Sequence, residues 1–389
     1  MDKIIDQALL KLRYYIENEE NRGYDPYDIL NSVIPFSLFG KYVQSLTIQA
    51  GKRIPFNFRP LIGIKKDYNP KGIGLLLSGY SILYQTYQKQ EYLEQAQQLF
   101  QLLKKLVTPG YSGPCWGYNF VWANPVKKLP KYYPSVVVTS FVIKGIYEYF
   151  NITKDDEAIK LIESSTNYIL NDIPITENEN GICFSYTDII KDTCYNASLL
   201  AAEILAINFS LTGNIELKKI ALSAINFVLA YQKIDGRWNY SIDLSTNNED
   251  EQIDFHQGFI IESIRNIMSL TGTIDSRYLE SIQKGAIFYY KEQTVNGVFL
   301  KYRLPKIYPI DIHNQAQAII TFSNLVSYDK KYLDYANSIL MWTIENMQNK
   351  HNGSFFYRKR KHFVNKIPFM RWGQAWMLLA IATYISQSK

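Results

Sequence analysis

A short glycine–aromatic turn returns along the chain at a near-constant interval, and no other feature constrains the fold as tightly. It reads Gly181-Ile182-Cys183-Phe184-Ser185-Tyr186, Gly236-Arg237-Trp238-Asn239-Tyr240, Gly297-Val298-Phe299-Leu300-Lys301-Tyr302 and Gly353-Ser354-Phe355-Phe356-Tyr357. Gly181, Gly236, Gly297 and Gly353 are spaced by 55, 61 and 56 residues, an interval that holds two helices and their connections. A related turn, Trp116-Gly117-Tyr118-Asn119-Phe120, stands upstream. Glycine permits the backbone reversal, and the aromatics that follow can wedge between neighbouring hairpins.

Each turn leads through a polar loop into an apolar segment, with helix starts expected near Asn69, Pro134, Thr193, Asp254, Asp311 and Phe369. Stretches such as Ala197-Ser198-Leu199-Leu200-Ala201-Ala202 are apolar on most faces, the mark of a buried helix. More polar helices are expected over 90–106, 155–170, 216–232, 277–292 and 330–348. Ile4, Ile5, Leu9, Leu12, Tyr15 and Ile16 recur at helical spacing, and a second N-terminal helix is expected over 26–49. The last apolar helix ends the chain, so its outer neighbour must come from residues 1–50. The fold expected is therefore all-α: a single α/α toroid of about six helical hairpins over residues 1–389, closed by its N-terminal helices.

Composition removes several function classes. With 389 residues, 47% hydrophobic and 20% charged, the chain has ample material for a core. No run approaches the roughly 18 apolar residues of a membrane span, and Asp2, Asp6, Glu17, Glu19 and Glu20 break up the first segment, unlike a secretory signal. A cytoplasmic location with no integral membrane segment is expected. Cys115, Cys183 and Cys194 are scattered, without zinc-type pairing or a disulfide framework. The net charge of +6 draws heavily on Arg358-Lys359-Arg360-Lys361, which suits a local anionic partner better than nucleic acid. No phosphate loop, dinucleotide fingerprint or His-x-x-x-His pair occurs, so neither metal nor cofactor is expected. The 31 Tyr and 6 Trp suit a cleft that stacks flat, hydroxyl-rich ligands.

The chemistry-bearing residues gather at the inner helix starts. Asp254-Phe255-His256-Gln257 is nearly repeated by Asp311-Ile312-His313-Asn314, and the preceding start carries Tyr195-Asn196. In a toroid these termini converge on one face, where unpaired N–H groups also attract anions. Asp254 and Asp311 are candidate catalytic acids, although N-capping explains either one equally well. His256 and His313, two of only four histidines, are candidate proton carriers. Tyr195, Asn196, Gln257, Asn314 and Trp372 are expected to bind substrate, with Trp116, Tyr118, Trp122 and Trp238 stacking on sugar rings or gluing the hairpins together.

Gln232-Lys233-Ile234-Asp235-Gly236-Arg237-Trp238 resembles the Gln…Gly-x-Trp repeats of terpenoid cyclases and prenyltransferase β-subunits, a resemblance that implies an α/α ring. Arg371-Trp372-Gly373-Gln374-Ala375-Trp376 is similar to the Arg-Gly-Gln-Ala-Trp segment of unsaturated glucuronyl hydrolases. That resemblance implies a carbohydrate-active six-hairpin enzyme, with Arg371 and Trp376 touching sugar. The function expected is that of a glycoside hydrolase acting on an anionic, uronic-acid-containing saccharide, in surface polysaccharide metabolism. Asp254 and Asp311 would be its paired carboxylates. A uronate lyase or sugar epimerase is the alternative; a glycan-binding scaffold or an isoprenoid-binding toroid is another. Nothing in the sequence fixes the oligomeric state.

Overall fold

A computed structural model describes residues 3–123 and 128–389. Among them are helices α1 (Lys3–Asn18), α2 (Lys41–Gly51), α3 (Pro70–Tyr87), α4 (Gln90–Lys105), α5 (Val136–Thr153), α6 (Asp156–Asn167), α7 (Tyr195–Thr212), α8 (Ile215–Ala230), α9 (His256–Thr271), α10 (Ser276–Gln293), α11 (Ile312–Asn324), α12 (Lys331–Met347) and α13 (Trp376–Ser388). The odd-numbered helices from α3 to α13 pack each on the next, and α13 packs back on α3. The chain is thus an α/α toroid. The inner ring is apolar enough to be enclosed, as in α7, buried continuously from Tyr195 to Asn208, while the outer helices bury one stripe each. Helix α1 packs against α12 and α13 and supplies the missing outer helix.

Turn glycines hold the hairpins together by close approach. A Cβ on Gly181 would collide with the carbonyl of Ser223, one on Gly236 with Lys284, and one on Gly353 with the backbone of Lys11. Each of these three turns thus lies on the following outer helix, and Gly353 carries the pattern across the ring closure onto α1, whereas Gly297 approaches the Tyr290 side chain of α10, the helix before it. In the upstream turn this place belongs to Gly113, against Ser164, four residues before the expected Gly117.

A second device fixes each turn to its own inner helix. The Gln257 side chain accepts from Trp238 N and donates to Trp238 O, at 2.9 and 2.6 Å. Gln315 does the same for Leu300 and Gln374 for Phe355. Ser198 accepts from Phe184 N, and Thr139 from Trp116 N. These clamps define the true register of the repeat. Gln257, Gln315 and Gln374 are equivalent, so Asp254-x-His256 and Asp311-x-His313 lie one residue out of step. His313 is the counterpart of Phe255, and Asp311 that of Ile253.

The expected helix over 26–49 is broken. Asp28–Asn31 and Phe36–Leu38 form single 3₁₀ turns, with Pro35 between them, before α2 begins; proline lacks the N–H that an α-helix interior requires. Helix α2 packs on the first of these turns and on strand Trp122–Ala123, so α1 alone closes the ring.

Candidate functional site

The N-terminal ends of the inner helices open into a cleft of about 1140 Å³. Side chains at or just before each inner helix start face it: Lys71, Val137, Asn196, Phe255 with His256, His313 with Asn314, and Arg371 with Trp372 in the turn that leads into α13. One turn deeper, Phe259 lines the cleft and packs with Phe141 and Trp376 behind it, centroids 5.1–5.7 Å apart. Strand Arg358–Lys359, paired with Ile310–Asp311 and Val364–Asn365, walls one side.

Two titratable groups here have unusual surroundings. Asp254 is buried, and its Oδ1 lies 2.5 Å from His256 Nδ1; its other oxygen accepts from Gln252 at 2.9 Å and faces Arg303 at 3.3 Å. Burial would raise the Asp254 carboxyl, but His256 and Arg303 hold it below the usual carboxylate range. That contact places the Nδ1 proton towards Asp254 and leaves Nε2 of His256 as the exchangeable atom. His313 is the opposite case. It is buried among Phe255, Trp376 and Trp372 at 4.2, 4.5 and 4.8 Å, and neither ring nitrogen has a hydrogen-bond partner. Burial first, then Lys71 and Arg371, push its pKa well below the ordinary histidine value, so it is neutral at pH 7. The Phe255 ring lies 4.2 Å from each imidazole, between the two.

Lys71 is the cation that sequence reasoning missed. Its Nζ sits 4.2 Å over the Phe141 ring, with no ion-pair partner among the described residues. Burial lowers its pKa strongly, with Arg371 adding to the effect. The signal was present, since Lys71 follows the expected start at Asn69 by two residues, as His256 follows Asp254.

Asp311 is both a cap and an anchor. Oδ1 accepts from His313 N at 3.0 Å and Trp372 Nε1 at 2.8 Å; Oδ2 accepts from Arg358 Nε at 2.6 Å. Arg371, expected to meet a sugar carboxylate, donates instead to both oxygens of Asp25, at 2.6 and 2.8 Å, and lies over Tyr118 and Trp372. Its partner Asp25, 346 positions away, carried no local signal.

Among the other expected binders, Asn196, Asn314, Tyr118, Trp122 and Trp372 line the cleft. Asn314 is committed in part, donating to the carbonyls of Lys301 and Tyr302 at 2.8 Å. Tyr195, Gln257, Trp116 and Trp238 are not in the lining, which corrects the expectation that they touch substrate. Tyr195 stacks on Tyr231, Gln257 is a clamp, and the two indoles donate to Leu103 O and Val228 O inside their hairpins. Trp376, expected to touch sugar, is likewise not in the lining; it packs behind Phe259 and His313, with its Nε1 unpartnered. Among the described residues no three His, Cys, Asp or Glu side chains gather as a metal would require, and no helix is long and apolar enough to cross a membrane.

No protein-family model matches this chain, and no curated protein matches it in sequence. Solved structures do resemble it. The chain is similar to a cellobiose 2-epimerase from Bacillus thermoamylovorans, with a TM-score of 0.67 at 15% identity over 99% of this chain and 100% of that one. An unsaturated glucuronyl hydrolase specific for heparin gives 0.63 at 13% over 98% and 96%. A D-mannose isomerase gives 0.62 at 13% over 82% and 88%. At such identities the likeness establishes the toroid fold, independently of the clamps and ring closure described above.

Proposed function

We propose that the cleft is the active site of a sugar-converting enzyme that moves a carbon-bound proton, an epimerase or isomerase, with His313 and His256 as its acid–base pair. The observation that carries this is the contrast between two imidazoles on one cavity: one neutral with free nitrogens, one backed by a carboxylate. His313 takes the proton from the carbon next to the carbonyl of an open-chain sugar. The C–H electron pair becomes the C=C bond of an enediolate, and the charge moves to oxygen, where the Lys71 amine, which lines the same cleft, can donate a hydrogen bond. His256, backed by Asp254, delivers a proton to the opposite face of the same carbon and gives the epimer; delivery to the former carbonyl carbon, with the neighbouring hydroxyl proton passing to the former carbonyl oxygen, gives the isomer. Aromatic walls at Tyr118, Phe255 and Trp372 suit a sugar ring, and Lys71 and Arg303 suit a substrate bearing a carboxylate. The fold neighbours named above include an epimerase and an isomerase of sugars.

Hydrolysis by Asp254 and Asp311 has less support. A glycosidase needs two available carboxylates, and both oxygens of Asp311 are occupied by Arg358, Trp372 and the α11 backbone. The test is incubation with neutral and uronic reducing sugars in D₂O, followed by NMR. Deuterium next to the carbonyl, lost in His313→Gln and His256→Gln, is the expected result. New reducing ends without deuterium would overturn the reading in favour of the hydrolase.

A further inference from the structure

The segment between α1 and α3 exposes apolar side chains that a folded chain normally hides. Val33, Leu38, Leu46 and Leu61 are 78, 81, 69 and 85% exposed, and Phe39, Tyr42, Val43 and Phe56 are exposed beside them. All lie within residues 33–61, where Val33 N donates to Ile62 O at 3.0 Å, beside Leu61, and Phe56 packs edge-on to Phe58 at 6.1 Å. Helix α2 is inverted with respect to the core. Gln44, Ile48 and Gly51 are its buried stripe. Turning by about 100° per residue sets Tyr42, Leu46, Ala50 and Val43 on the opposite face.

Charge identifies what this surface fits. From residue 29 to residue 66 the chain has Lys41, Lys52, Arg53, Arg59, Lys65 and Lys66 but not one Asp or Glu. Arg59 is spent on Asp28, and Lys66 on Glu19. Lys41, Arg53 and Lys65 are exposed, with no carboxylate partner among the described residues. Asn365 Nδ2 bonds Ile54 O at 3.0 Å, which adds the hairpin tip with exposed Lys361, His362 and Phe363 to the same rim. A second copy docking by two-fold symmetry would set these cations against their own images. An apolar helix face flanked only by cations complements an anionic lipid surface.

We infer that the face formed by residues 33–65, with α2 at its centre, docks peripherally on anionic bilayers. Tyr27, Lys52 and Trp122, which adjoin this face, also line the cleft. Docking therefore brings the cleft mouth close to the lipid headgroups. The inference does not depend on the reaction proposed above.

The experiment is flotation of the full-length protein with vesicles of phosphatidylcholine containing about 30% phosphatidylglycerol, against pure phosphatidylcholine, at low and high salt. Wild type floats with the anionic vesicles, and high salt weakens the binding. Leu38→Glu/Leu46→Glu/Leu61→Glu, all at exposed positions, abolishes flotation with an unchanged circular dichroism melt. Lys41→Ala/Arg53→Ala/Lys65→Ala lowers partitioning about tenfold or more. No flotation of wild type, or equal flotation of the triple Glu variant, overturns the inference. So does a solution dimer that Leu46→Glu dissociates, since a second copy would then be the occupant.

Discussion

Replacing Arg371 by Met distinguishes a guanidinium that serves the substrate from one that closes the ring. Its side chain is buried, donates twice to the equally buried Asp25 at 2.6 and 2.8 Å, and lies over Tyr118 at 5.0 Å. Removing one partner of such a pair leaves an uncompensated buried charge and costs about 3–5 kcal/mol. Loss of the aromatic stacking adds roughly 0.5–2 kcal/mol. Folded domains are stable by only about 5–15 kcal/mol, so Arg371→Met should lose about a quarter or more of the total. Asp25→Asn alone should be costly as well, and the double variant should recover part of the sum, with a coupling of about 2 kcal/mol or more. Urea denaturation of all four proteins, followed by tryptophan fluorescence, gives the cycle. If Arg371→Met stays within about 1 kcal/mol of wild type, the argument from the buried pair is wrong.

Asp254→Asn should slow proton exchange into substrate by about 100-fold or more, because His256 loses its counter-charge and its fixed tautomer, while stability falls by only about 1 kcal/mol; unaltered exchange rules the dyad out. His313 is held neutral in the folded protein, whereas the unfolded chain takes up a proton near pH 6.5. Its contribution is therefore complete above about pH 6.5 and lost as pH falls towards the depressed folded value, by at most about 1.4 kcal/mol per pH unit. Urea midpoints at pH 7.5 and about 5.5 should differ less in His313→Gln than in wild type, and equal differences would refute the assignment. Gly236 has φ +96° and sits on the Lys284 carbonyl, so Gly236→Ala should cost about 2 kcal/mol or more; a melt within experimental error of wild type would show that the turn does not need that approach.

The sequence by itself determined the ring. Helix periodicity and glycine at a backbone crossing are local demands, visible within a few residues, and they located the inner helices, the outer helices and the cleft at the inner helix starts. It could not determine which polar residue at a start faces the cleft. One residue along a helix is a rotation of about 100°, so Asp254-x-His256 and Asp311-x-His313, alike in spelling, hold different places. Gln257 became a clamp and His313 entered the aromatic cage, although both lie within three residues of an Asp. Only the tertiary structure decided these roles, because the partners that fix them come from afar: Arg358 and Trp372 for Asp311, Asp25 for Arg371, Trp238 for Gln257. A cap, a clamp and a proton carrier use the same side chains, and the neighbours brought in by folding separate them.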